Sequence, residues 1–170
     1  MISVYLQGGL GNQIFQLFTA IAYSLRYNVK LEIPSYKWDA ENRPTYWGTL
    51  FKKLNDFKYI NDKLQPGSLP RHCEDGFHYT EIPKKDNFIL YGYFQSYKYF
   101  EKEYDAIMKK FGIKLLQQVI RGRHLRLRES ISLHFRIGDY KEFQFQWLIM
   151  ANQYYVNALA YIMEKTGRTD

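Results

Sequence analysis

The sequence predicts an α/β protein, and three adjacent observations carry the prediction. Ile2, Val4 and Leu6 alternate with Ser3 and Tyr5, as in a short strand. The stretch "QGGLGNQIFQLFTAIAYSLRYN" follows at residues 7–28, with three glycines in four positions and then Ile14, Leu17, Phe18, Ile21, Ala22 and Leu25 at the spacing of one buried helix face. Val29 to Ile33 reads as a second strand, stopped by Pro34. Strand, tight loop, helix, strand is a βαβ unit, with parallel strands and a right-handed crossover.

The loop after the first strand of such a unit lies at the carboxyl edge of the sheet, where open α/β sheets bind ligands. Gly8, Gly9 and Gly11 can take positive φ and let a ligand approach the backbone. The helix start behind them favours negative charge, and Asn12 and Gln13 add carboxamides there. The same residues are equally readable as a tight turn and a capped helix. "GLGNQI" also resembles a dinucleotide fingerprint, with Glu32 near the end of the second strand as the ribose acid. Ile14 stands at its third glycine, so the close helix–strand packing of that fingerprint is missing.

Composition narrows the classes. The chain has 170 residues, 46% hydrophobic and 18% aromatic, which suits a globular domain rather than a disordered one. A net charge of +7 fits a partner bearing phosphates. Cys73 stands alone, so no intrachain disulfide can form and a reducing compartment is expected. Strand-like sequence from Ile2 leaves no room for a signal peptide, and no apolar run approaches ~18 residues; a cytoplasmic location without a membrane span, with peripheral membrane association as the alternative, is the expectation.

Residues 34–87 hold turns at Arg43-Pro44 and Gln65-Pro66-Gly67, and aromatics such as Trp38, Tyr46 and Trp47 that serve either a core or a sugar-stacking surface. His72 and Cys73 have no second cluster at zinc spacing, and no metal is expected. Phe88 to Tyr91 reads as a buried strand broken at Gly92, with Ser96 as a candidate helix cap. Tyr99, Phe100, Tyr104, Ile107, Met108 and Phe111 then form a helical stripe ending near Gly112. The first domain is therefore expected over 1–112. A basic connector follows over 113–129, with Arg121, Arg123, His124, Arg126 and Arg128 on a solvated helix face or linker, or on a phosphate-attracting rim.

In "SISLHFRIGDY", residues 130–140, Ile131, Leu133 and Phe135 alternate with Ser132, His134 and Arg136. A strand here puts His134 and Arg136 side by side at its carboxyl end, before a turn at Gly138-Asp139. Arg suits bidentate binding of phosphate; pairing of Arg136 with Asp139 across the turn is the other reading.

Three stretches together resemble glycosyltransferase family 11, the α-1,2-fucosyltransferases. "GGLGNQIFQLFTAIAYSL" resembles the family's N-terminal signature, "GYFQSYKYF" its middle segment, and "SLHFRIGDY" its H-x-R-R-G-D-Y motif; "YYVNALAYI" resembles the helix that follows. They occur in the family's order over nearly the whole chain. The resemblance implies a GT-B-like architecture, a Rossmann-type N-terminal domain facing a second Rossmann-type domain across a cleft. It implies GDP-fucose as donor, the 2-hydroxyl of a galactoside glycan as acceptor, and inverting transfer without a metal. Arg136 would neutralise the GDP pyrophosphate, with His134 and Asp139 as further catalytic candidates and Gly138 and Tyr140 shaping the same pocket. Gly8, Gly9, Gly11, Asn12 and Gln13 would line the cleft from the first domain.

Two departures stand out. Ile137 occupies the position of the family's second Arg, and "KEFQFQWLIMANQ" lacks a histidine often found there. Residues 130–170 would start the GDP-sugar-binding domain but supply one strand, a loop and a helix, against a domain of ~100 residues. The alternative expectation is a truncated, non-catalytic sugar- or nucleotide-binding module, or half of a split enzyme completed by a partner chain. A basic nucleic-acid binder is a third reading, but no RNA- or DNA-binding motif is evident, and no nucleic-acid partner is expected.

Overall fold

A computed structural model describes residues 1–34, 46–56, 59–124, 126 and 130–167. Trp38, the Arg43-Pro44 turn and Arg128 lie outside these residues. The chain divides into two compact units, Met1–Gln117 and Gln118–Asp170.

The first unit is α/β. Strand β1 is Ile2–Val4, and helix α1, Leu10–Tyr27, follows the glycine loop. Helix α2 is Lys52–Asp56. Strands β2, Arg71–Cys73, and β3, Phe88–Tyr91, precede a 3-10 turn at Tyr97–Tyr99 and helix α3, Tyr104–Phe111. The sheet order is β1-β3-β2, every pair parallel, with Ile2 opposite Phe88 and Cys73 opposite Tyr91. On the other side of β1, Ile2 bridges Leu31 in parallel, closing the strand–helix–strand unit. Residues 29–33 make only isolated bridges, Leu31 to Ile2 and Ile33 to Ile60, rather than a continuous ladder.

The core explains these elements. Residues 16–23 of α1 are all buried, packed against β1, α3 and the 3-10 turn. Ile2 through Leu6 are all buried, so β1 is covered on both faces as parallel strands are. Phe18 meets Phe100 edge-on at 5.4 Å and Phe111 at 5.7 Å, linking α1 to α3. Asn28, in the left-handed region, ends α1; its N–H donates to the Ser24 carbonyl. Gly112 ends α3 in the same way. At the C-terminal end of α1, Arg26 makes two bonds to Glu103, at 2.7 and 3.1 Å, and a third to the Tyr99 carbonyl at 3.1 Å.

Glu32 is held by Lys30 and by Asn61 Nδ2 at 2.7 Å. Donation first from Lys30 and then from Asn61 keeps its carboxyl below the ordinary range. The acid of the fingerprint reading is thus already engaged by the protein's own residues. An unfolded chain binds this proton more readily than the folded one. The stabilisation is therefore present at neutral pH and lost as pH falls through the carboxylate range. The stability difference between the wild type and Glu32→Gln, from urea melts, should be present near pH ~7 and shrink by pH ~3.5.

The basic connector is helical. Helix α4, Ile113–Arg123, runs straight on from Gly112 and buries none of its residues. In the second unit, a 3-10 turn spans Gly138–Glu142 and helix α5 is Asn152–Thr166. The strand expected at 130–136 is not formed. A strand exists by pairing, and among the described residues no segment hydrogen-bonds to 130–137 as a ladder. Alternation alone therefore did not make a sheet there, and a second Rossmann-type sheet is not among the described residues.

Candidate functional site

In the first unit, the candidate site residues gather at the carboxyl edge of the sheet, where β1 and β3 run out. Past the end of β1, Tyr5 N–H donates to the Leu90 carbonyl at 3.0 Å. A buried side-chain amide adds a further link between these segments. Gln16, fully buried on α1, accepts from Gln7 N–H at 3.0 Å through Oε1. Its Nε2 donates to the Gly92 carbonyl at 3.1 Å and, more weakly, to the Gln7 carbonyl at 3.4 Å. One carboxamide thus bridges the glycine loop to the loop after β3. Buried amides are retained only when so bonded, because an unmet donor or acceptor costs about 1–3 kcal/mol.

Within the glycine loop the three glycines differ. Gly8 has φ +71°, and a Cβ there would collide with Asn12 Nδ2. Gly9 is the N-cap of α1 at φ −74° and ψ 178°, a conformation open to any residue, and makes no side-chain cap. Gly11 lies inside α1 with nothing within 4 Å of an added Cβ. The expectation of positive φ holds for Gly8 and is corrected for Gly9 and Gly11: once α1 begins at Leu10, helical geometry fixes Gly11 at negative φ. Gln13 Nε2 donates to the Gly8 carbonyl at 2.9 Å, turning that carbonyl inward.

The loop after β3 is set by a residue from β2's end. Glu74 Oε2 accepts both the Tyr93 and Phe94 N–H groups at 2.8 Å. Gly92 has φ +156°, and a Cβ there would collide with Glu74. Phe94 sits at φ +52°, an outlier for a bulky residue, and is buried edge-on against Tyr99 at 5.3 Å. Gln95, the next residue, is exposed and donates through Nε2 to Asn12 Oδ1 at 2.6 Å. Two of the motif stretches, residues 8–16 and 92–95, are therefore joined by two separate bridges, Gln16 to Gly92 and Gln95 to Asn12. Beside them Tyr5 is pushed up to about 12 by burial, with Tyr91 adding to it and Arg71 opposing, which keeps it a neutral phenol.

Gln16, Glu74 and Gln95 were not among the residues expected from sequence. Gln16 had a signal: with Gln13 it puts amides at i and i+3 on the otherwise apolar face of α1. Glu74 and Gln95 act through backbone and loop contacts that no local pattern announces.

In the second unit, Arg136 and Tyr140 are brought together. The guanidinium lies 4.5 Å from the Tyr140 ring centroid, and Tyr140 stacks on Trp147 at 5.1 Å. Phe143 packs on Trp147 at 5.2 Å. Gly138 opens the 3-10 turn that returns Tyr140 towards Arg136. His134 and Arg136 are both exposed. The side chain of Asp139 lies outside the described residues, so the Arg136–Asp139 pairing does too. Among the described residues no group of three or more His, Cys, Asp or Glu is placed to hold a metal ion, and no helix is long and apolar enough to cross a membrane.

No protein-family model matches the sequence, and no solved structure matches it. Among curated proteins, the α-1,2-colitosyltransferase of Escherichia coli is 26% identical over a 193-residue alignment. That alignment covers 94% of this chain and 63% of the relative, so the chain spans less than two thirds of the relative's length. Over nearly its whole length, then, this α/β chain is similar to a glycosyltransferase.

Proposed function

We propose that the chain is an α-1,2-fucosyltransferase-like glycosyltransferase. It transfers a sugar from GDP-fucose to the 2-hydroxyl of a galactose-type acceptor, with inversion and without a metal. The observation that carries the reading is the meeting of residues 8–16 with residues 92–95 at the carboxyl edge of a parallel sheet. Those are two of the stretches that resemble family 11, and similarity to a colitosyltransferase supports the same class. In this reading Gly8, Gly9, Gly11, Asn12 and Gln13 line the substrate site from the first unit. Arg136 holds the diphosphate, Gly138 and Tyr140 shape its surroundings, and His134 and Asp139 are the further catalytic candidates. The relative's name makes colitose a second donor sugar to assay.

A specific observation favours a second reading, in which the chain binds substrate but needs a partner chain for turnover. Among its described residues the second unit buries none, and Phe145 and Leu148 are 79% and 77% exposed. One experiment separates the readings. Monodisperse 170-residue protein is titrated with GDP by calorimetry and incubated with radiolabelled GDP-fucose and lactose. GDP-inhibitable transfer supports the first reading. GDP binding without turnover at a family-like rate supports the second. Neither binding nor transfer overturns both.

A further inference from the structure

Residues 92–96 hold a backbone that their own sequence does not favour. Phe94 has φ +52°, a conformation that a bulky side chain keeps only where its surroundings enforce it. Four contacts do so. Glu74 Oε2 accepts the Tyr93 and Phe94 N–H groups at 2.8 Å each. The Phe94 ring is buried edge-on against Tyr99. Ser96 N–H donates to the Phe94 carbonyl at 2.8 Å, closing a tight turn at Gln95. Gln16 Nε2, from α1, donates to the Gly92 carbonyl at 3.1 Å. With these groups turned inward, the turn presents the half-exposed Tyr93 and the exposed Gln95.

We propose that Glu74 is a positioning residue of the substrate site, holding this turn so that Tyr93 and Gln95 stand beside the glycine loop. The inference rests on the reading above, in which the glycine loop lines the site. Glu74 lies outside every stretch that resembles the family, yet one of its carboxylate oxygens takes both N–H groups flanking the strained residue. Both bonds are charge-assisted, the strong class of hydrogen bond. Their partners are backbone donors, so the direction of each bond is unambiguous. The Glu74 N–H also donates to the Tyr91 carbonyl at 3.0 Å, which anchors the residue to the end of β3. Strain held by neighbours gathers at ligand sites, where it fixes side chains before the ligand arrives. Without the carboxylate the turn relaxes towards ordinary φ. Apparent affinity then falls by the fraction of molecules that still hold the competent turn.

The test separates reach from charge. Glu74→Gln loses the charge and keeps a carbonyl oxygen at the same distance, which the two N–H donors will orient. Glu74→Asp keeps the charge and is one methylene shorter. Glu74→Ala removes both. Glu32→Gln is the control: it removes the same charge and costs stability, and Glu32 follows Leu31, which bridges β1 on the side away from β3 and β2. Affinities of each 170-residue protein for GDP and for lactose are measured by calorimetry, with hydrogen exchange of the Tyr93 and Phe94 amides in the ligand-free chain. Glu74→Ala and Glu74→Asp should lose protection at both amides and bind about tenfold more weakly whichever of the two ligands seats against the turn. Glu74→Gln should keep the protection and stay within about threefold of the wild type. Glu32→Gln should melt earlier at neutral pH and bind both ligands within about twofold of the wild type.

If Glu74→Ala does not fold, the Asp and Gln variants carry the test. Wild-type affinity for both ligands in Glu74→Asp, amides that stay protected in it, a Glu74→Gln that binds as weakly as Glu74→Asp, or an equal loss in Glu32→Gln overturns the inference alone. A wild-type chain that binds neither ligand overturns the site reading, and this inference with it.

Discussion

Gly8→Val should destabilise the first unit by about 1–3 kcal/mol and uncouple Asn12 from Gln95. Two costs add. A β-branched residue is forced to φ +71°, where its Cβ crowds the following carbonyl. That same Cβ arrives where Asn12 Nδ2 already sits, with Asn12 Cβ and Cγ at 3.3 Å. Asn12 must swing out, and its 2.6 Å bond from Gln95 is lost with it. Gly11→Ala is the contrasting variant. Gly11 is exposed and helical, with nothing within 4 Å of the new methyl, so alanine should stabilise by about 0.5–1 kcal/mol. Urea melts of the two variants read the difference directly. A destabilising Gly11→Ala, or a neutral Gly8→Val, would contradict the backbone assignment of this loop. Where a ligand seats against Gly11, the alanine should raise stability while lowering affinity.

That pair of variants also marks how far the loop could be read in advance. Three glycines between a strand and a helix announced a special backbone, but sequence could not say which glycine needed it. The answer depends on where α1 starts. The start falls at Leu10, ahead of the first apolar residue of the stripe at Ile14, because the two intervening amides cost little in a first turn. The other end was plain: Asn28 and Gly112 both stop helices in the left-handed region, a role that few other residues take at low cost. Strand β3 was equally plain, being a short apolar run broken at Gly92.

Strand β2 was not legible. Arg71–Cys73 is three residues long, has no apolar alternation and lies at the sheet edge, so its strand character comes wholly from pairing with β3. The run at 130–136 fails in the opposite direction. It has the alternation and lacks the neighbour, so pattern predicted a strand that pairing did not deliver. Helix α4 was legible as a solvated helix face or linker but not bounded, and Ile113, Leu116 and Ile120 fall at helical spacing. The site shows the same division. Asn12 and Gln13 are local to a motif and were named, whereas Glu74 acts on residues 19 and 20 positions away and Gln95 on one 83 away.

If Arg136 holds the diphosphate as proposed, Arg136→Ala should abolish GDP binding and lower any transfer by about 10²–10³-fold, the usual loss when one group stabilising a leaving oxyanion is removed. The geometry says why Arg136→Lys should fail as well. The guanidinium is 4.5 Å from the centroid of Tyr140, and Tyr140 is itself backed by Trp147. A guanidinium over an aromatic ring can offer a planar fork of N–H donors, the geometry that suits a diphosphate. A lysine keeps the charge and some attraction to the ring, but offers a point donor in place of the planar fork. Tyr140→Phe keeps the ring and should retain most of the affinity. Tyr140→Leu removes the platform and should cost about 0.5–1 kcal/mol, the worth of a cation–π contact at an exposed site. The order wild type, Tyr140→Phe, Tyr140→Leu, Arg136→Lys, Arg136→Ala in falling GDP affinity is the expected calorimetric result. Ile137, standing where the family places a second arginine, supplies no compensating cation. Arg136→Ala with wild-type GDP affinity would remove Arg136 from the site and leave the aromatic stack as a packing feature only.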